Sequence, residues 1–206
     1  MPDPVDRLTP LGLMVLALLR EDDMHPYEMI RLMRIRHDDR LVTLTNGTIY
    51  HTVARLQKTG LVVEVGTDRD GNRPERTTYS VTDAGVDVAL EWVRRELVAI
   101  DRPAQFRIAL AESHNLEADE VRERLRSRHD ALADYERALT EGYDQGRSKG
   151  VALQYLVEVE RDLALVRADL IWSASLIERL GSDDLPWGGT HAPTDRYLAQ
   201  REAARS

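Results

Sequence analysis

Six histidines stand at positions 25, 37, 51, 114, 129 and 191, and no two share the i, i+4 spacing that would set both on one helix face as metal ligands. The 206 residues include no cysteine, which removes a thiolate zinc site, an iron–sulfur cluster, a disulfide framework and a cysteine nucleophile together, and fits a reducing, cytoplasmic address. Carboxylate pairs such as Glu158 with Glu160 and Asp183 with Asp184 read as solvated helix face and loop rather than acid–base partners. The sequence contains no Gly-Lys-Ser/Thr phosphate loop, no glycine-rich dinucleotide fingerprint and no Gly-x-Ser-x-Gly elbow. These residues point away from an enzyme and call for neither a metal nor a cofactor.

The chemistry that remains is aimed at phosphates and base edges. Thr45, Asn46, Gly47 and Thr48 are small or hydroxylic residues at a helix start, where backbone amides can approach an anion. Tyr50, His51 and Arg55 follow on the same helix, off its apolar stripe. Tyr50 joins a ring that can pack beside the helix to a hydroxyl that can reach a phosphate, although burial in the core would suit the ring as well. Thr48 is assigned to phosphate and His51 or Arg55 to base edges. Tyr27 is assigned to phosphate, with a core position as its alternative. Arg69, Arg73 and Arg76 surround Asp70-Gly71 and would give a turn mobile cations. Taken singly, all of these suit an ordinary turn or a solvated face. Their order along the chain is what groups them.

Positioning such residues requires a scaffold, and the hydrophobic pattern supplies one. Thr9-Pro10 caps a first helix with Leu11, Met14, Val15, Leu18 and Leu19 at helical spacing; a second starts at Pro26 and ends before Asp38. The third, capped by Thr45, carries Ile49, Val53 and Leu56 inward and stops at Gly60. Leu61 to Val65 and Thr77 to Val81 read as two strands of a hairpin, and Thr82-Asp83 caps a fourth helix running to about residue 100. Helix, helix, helix, strand, strand, helix is the order of a winged helix-turn-helix with a two-stranded wing. The net charge is −8, yet residues 31–80 hold nine Arg or Lys against six Asp or Glu, so the basic balance lies where the wing and third helix fall.

The second half has no strand signal and is rich in strong helix formers. A short helix over 105–113 and a long charged one over 117–146 precede a regular repeat. Leu156, Leu163, Leu170 and Ile177 recur every seven residues, with Val159, Val166, Ser173 and Leu180 in the paired position. That seam predicts self-association, with pairing against residues 117–146 as the simpler alternative. The fold class is therefore mainly α, a winged helix followed by an all-α domain with two long antiparallel helices. The domains are 1–100 for the reader, 101–182 for dimerisation, and 183–206, rich in Gly, Pro, Asp and Thr, as a mobile tail. Trp92, Phe106, Tyr155 and Trp172 are candidates for lining an effector pocket, or for simply filling an interface. The longest apolar run, Leu11 to Leu19, falls far short of the ~20 residues that span a bilayer.

The series His25-Pro26-Tyr27-Glu28, Asn46-Gly47-Thr48-Ile49-Tyr50, Arg55-Leu56, Gly60-Leu61-Val62 and Tyr79-Ser80-Val81-Thr82-Asp83-Ala84-Gly85 resembles the PadR family of bacterial transcriptional regulators. It departs from the family pattern at Pro26, where glycine is usual. The resemblance implies a homodimer that binds a pseudo-palindromic operator in double-stranded DNA, represses transcription, and is released by a hydrophobic or aromatic small molecule. It also implies a DNA contact for Tyr50. The rival expectation is a protein-interaction or small-molecule-binding module on a winged-helix scaffold.

Overall fold

The computed structural model describes residues 3–68, 76–182, 184–187 and 195–205. The chain divides into two compact units: one comprises 1–95, 107–112 and 189–206, the other 96–106 and 113–188.

The first unit is the winged helix. A single turn, α1 (Pro4–Arg7), is capped by the Asp3 carboxylate, and α2 (Pro10–Glu21) by Thr9, whose hydroxyl accepts from the Gly12 amide at 3.2 Å. Because α2 is apolar on nearly every side, it is the buried centre: Leu13, Met14, Val15, Leu16, Leu18 and Leu19 are all excluded from water. Around it pack α3 (Pro26–Ile35), which contributes Met29, Ile30, Leu32 and Met33, and α4 (Asn46–Lys58), which contributes Ile49, Val53 and Leu56. Pro26 departs from the family pattern without harm, since proline suits the first helical position and its ring is buried.

Strands β1 (Val62–Asp68) and β2 (Arg76–Val81) pair antiparallel, with Val62 opposite Val81 and an irregularity between Glu64 and Gly66 that turns the outer half of the hairpin. Met24 exchanges two backbone hydrogen bonds of 3.1 Å with Tyr79, so the segment before α3 adds a third edge to the wing. Tyr79 thereby anchors β2 to the segment before α3. Thr82 caps α5 (Asp83–Val98), accepting from the Gly85 amide at 3.1 Å while donating to the Gly60 carbonyl at 2.8 Å. Gly85 is required: a Cβ there would lie 2.1 Å from the Leu61 carbonyl oxygen.

The expected mobile tail is corrected over 195–205, which form α9 (Asp195–Arg205). This helix packs along α3 and buries Ala204 and Arg201, with long-range ion pairs supplying what its weak apolar content does not.

The second unit is built on α7 (Ala118–Ser148) and α8 (Val157–Arg179), joined by a turn through Gly150. His129 pairs with Ser173 and Tyr135 with Asp162, rising numbers on one helix with falling numbers on the other, so the two run antiparallel; Arg167 with Glu136 adds a further bond between them. The heptad seam meets this partner. Leu156, Leu163, Val166, Ser173 and Leu180 are buried within the chain, and Val159, Leu170 and Ile177 are half-buried. The seam thus pairs within the chain, the simpler of the two alternatives, since a 3.5-residue repeat specifies a helical partner without saying whose helix it is. The short helix α6 (Pro103–Ala111) links the two units.

Within the second unit Arg128, 2% exposed, lies with its guanidinium 3.7 Å from the Phe106 ring centroid and donates to the Ala99 carbonyl. Burial lowers its pKa against the opposing pull of Asp169. Glu96 is also buried. It pairs with Arg102 at 2.7 Å through one oxygen and has no hydrogen-bond partner for the other. Burial raises its pKa, an effect Arg102 opposes.

Candidate nucleic-acid interface

The exposed face of the first unit begins where α3 and α4 start. His25 caps α3 in an unusual way: its Nδ1 accepts from the Tyr27 amide at 3.1 Å, while the Glu28 carboxylate reaches back to accept from the His25 amide at 3.0 Å. The cap holds Tyr27 on the first turn, 41% exposed, with the Arg31 guanidinium 5.7 Å from its ring centroid. Tyr27 is thus placed outside the core.

Tyr50 stands beside this on α4, 45% exposed, its ring edge-on to His25 at 6.0 Å between centroids. The core position considered for it is not taken. His51 is also exposed, one residue further round the helix. Tyr79 of the wing completes the group; burial raises its hydroxyl pKa, and the charge of Glu64 and the nearby Tyr50 add to the rise. The starts of two helices and the wing therefore present two accessible tyrosines and an imidazole together.

The α4 N-terminus is exposed at Thr45, Asn46 and Gly47. Thr45 and Thr48 cap it reciprocally. The Thr45 hydroxyl accepts from the Thr48 amide at 3.1 Å, and the Thr48 oxygen accepts from the Thr45 amide at 3.0 Å while donating to the Thr45 carbonyl at 2.9 Å. Thr48, expected at a phosphate, thus has its hydroxyl proton in the cap. The first-turn amides of Asn46 and Gly47 have no helical acceptor and remain for an anion.

Arg55, weighed for base edges, donates from Nη2 to Thr9 Oγ1 at 2.7 Å, which ties α4 to the start of α2. Arg69 and Arg73 lie outside the described residues, and Arg76 is described only as the first residue of β2.

The four aromatic residues weighed for an effector pocket or an interface lie on different elements. Trp92 is buried on α5 in the first unit. Phe106 and Trp172 meet edge-to-face at 6.1 Å in the second unit, next to Arg128. Tyr155, 72% exposed, precedes α8, whereas Trp172 lies ~22 Å along that helix from its first residue. Sequence reasoning found Tyr50 and the cap residues but missed His25 as a cap. A histidine before proline, three residues ahead of a glutamate, was the available signal. Among the described residues no cluster of three potential metal ligands occurs, and no helix is long and apolar enough to cross a membrane.

Residues 15–90 match the transcriptional regulator PadR-like family, as the motif series had implied. Solved structures similar to this chain include Bacillus subtilis PadR in complex with operator DNA, at 16% identity over 82% of this chain and 98% of that chain with a TM-score of 0.38. Bacillus subtilis PadR alone matches at 17% identity over 89% and 99% with a TM-score of 0.35. The protein smu.1604c of Streptococcus mutans UA159 matches at 18% identity over 83% and 98% with a TM-score of 0.36. No curated protein sequence matches.

Proposed function

We propose, from the premise that residues 15–90 form a PadR-like winged helix, that this protein is a DNA-binding transcriptional regulator acting as a homodimeric repressor. The observation that carries the reading is an exposed face on which Tyr27 and the α4 N-terminus are held by caps, Tyr50 stands edge-on to His25, and His51 lies next to Tyr50 on α4. In this mechanism α4 enters the major groove. His51 faces base edges, the Asn46 and Gly47 amides and the Tyr50 hydroxyl take phosphates, and the wing lies over the flanking backbone.

Dimerisation is supported by the side of α8 turned away from the seam, where Val157, Leu165, Ile171 and Trp172 leave an exposed apolar strip. Two readers joined there would address half-sites about 10 base pairs or a multiple apart. Release would follow from a hydrophobic or aromatic effector that favours a dimer with the wrong reader spacing; the Phe106–Trp172 contact is where such a molecule would be accommodated.

The test is fluorescence anisotropy of the purified protein with DNA from upstream of its own gene, against scrambled competitor, at two salt concentrations. Competitor-resistant binding with a salt slope supports the reading, and equal loss with both DNAs overturns it. Y50F should weaken operator binding by about 1 kcal/mol; unchanged affinity in a folded protein removes Tyr50 from the phosphate contacts.

A further inference from the structure

We infer that the C-terminal helix α9 is a clamp on the turn between α3 and α4, through which Tyr197 and Arg201 act as positioning residues for the reader. The argument starts at the end of α2. Glu21 is its last residue and Asp22 its C-cap, so two carboxylates sit at the negative end of a helix dipole, where anions are disfavoured. Cations drawn from two other helices offset them.

The first is Arg36, the C-cap of α3, which grips Glu21 bidentately at 2.7 and 2.9 Å. Tyr197 of α9 closes over this pair. Its ring lies 5.0 Å from the Arg36 guanidinium, and its hydroxyl donates to the second oxygen of Glu21. With a ring over one partner and a hydroxyl on the other, the pair is left only one-fifth to about one-quarter exposed, and its attraction is less screened than on an open surface. Burial and the bond to Glu21 together raise the Tyr197 pKa, so its proton stays in place at neutral pH.

The second anchor is Asp22, which accepts from Arg201 at 2.6 Å and from Arg205 at 2.9 Å, with Arg201 itself buried. A residue that long is seldom buried without a partner, and here the partner lies 179 positions earlier in the chain.

The consequence falls on the next residues. Arg36 leads directly into His37, a non-glycine residue in the left-handed region at φ 61°, then into a 3-10 turn over Asp38–Arg40 and on to the Thr45 cap. A turn that begins with an unfavourable backbone angle keeps its shape only if both sides are fixed. Thr45 and Thr48 fix the side toward α4; Glu21, Tyr197 and Arg201 fix the side toward α3. The amides offered by α4 are thus aimed in part from the far end of the chain.

Hydrogen exchange on the full-length chain tests this, and DNA binding provides a second arm. In Y197A/R201A, amides 37–44 should exchange roughly tenfold faster while those of Leu13 to Leu18 keep their protection. Operator affinity should fall roughly fivefold in the same variant. R201K should restore much of the protection, and D22N, which keeps shape but removes the charge that Arg201 and Arg205 hold, should shift exchange in the same direction if the double variant does not fold.

Unchanged exchange over 37–44 in Y197A/R201A and D22N overturns the clamp, as does acceleration spread equally through α2. Faster exchange with unaltered operator affinity overturns the positioning role. The affinity arm alone rests on the DNA-binding reading: a wild-type chain that binds no DNA specifically, with exchange responding as expected, removes that reading and leaves the clamp.

Discussion

The two units bury their residues by different means. In the reader, α2 is surrounded, so Leu13, Val15, Leu16, Met29, Leu32, Met33 and Ile49 lose essentially all contact with water in a core shared among three helices. In the second unit α8 is buried along one side, at Leu163, Val166 and Ser173, and the few buried residues of α7 include Arg128, held by Phe106 and the Ala99 carbonyl. A core enclosed from three directions can be wholly apolar, whereas two helices have a single line of contact and leave apolar residues on the outer side. The reader is therefore complete within one chain, and α8 still carries Val157, Leu165, Ile171 and Trp172 on a surface suited to a partner.

Substitutions can break or sharpen that contrast. L16A opens a cavity at a position with no exposed side and should cost about 2–5 kcal/mol in urea unfolding; a loss below 1 kcal/mol would show that the reader core is looser than described. L165D/I171D places two charges on the open strip and should weaken self-association by about 3 kcal/mol, roughly a hundredfold, in sedimentation equilibrium, with the reader's melting temperature unchanged. Sedimentation as an undisturbed dimer would move the interface off α8. G85A presses a methyl group onto the Leu61 carbonyl and should cost about 1–3 kcal/mol by thermal denaturation, a measure of how closely α5 approaches the wing.

The smallest effect belongs to Glu96. Its folded-state pKa is raised above the ordinary 4.5, so its contribution to stability is present at pH below that value and declines as pH rises through the folded pKa. E96Q removes the charge, keeps an acceptor for Arg102 and gives the unpaired position a donor. It should flatten the decline above pH 4.5 and change stability at pH 7 by less than about 1 kcal/mol. Melting curves across that range would show an unaltered slope if burial of the carboxylate is not what raises it.

The same contrast explains what the sequence could show. The order of α2 through α5 was legible because each of their starts carries a local signal: Thr9-Pro10, Pro26, Thr45 and Thr82-Asp83 all lie where these helices begin. Tyr50 was legible as a surface residue because the stripe of Ile49, Val53 and Leu56 defines the inward side. For Thr48 and Arg55 the sequence left the partner open: a hydroxyl or guanidinium looks free in sequence, and its partner, one turn away or at the start of α2, is fixed only by the fold. The seam at 156–180 had the right period, but period carries no information on whether the partner is α7 or another chain. The C-terminal helix was hidden because Arg201 with Asp22 is a contact with no local pattern, and α9 has no apolar stripe to announce it.

The hydroxyl of Thr9 has one more consequence. A single oxygen accepts from the first turn of α2 and from the Arg55 guanidinium in the later part of α4. It works as a rivet between α2, buried on nearly every side, and the helix that carries Tyr50 and His51. A load applied along α4 is passed in part through that oxygen into the buried α2, so in the proposed reading α4 would meet DNA as a stiff finger rather than a yielding one.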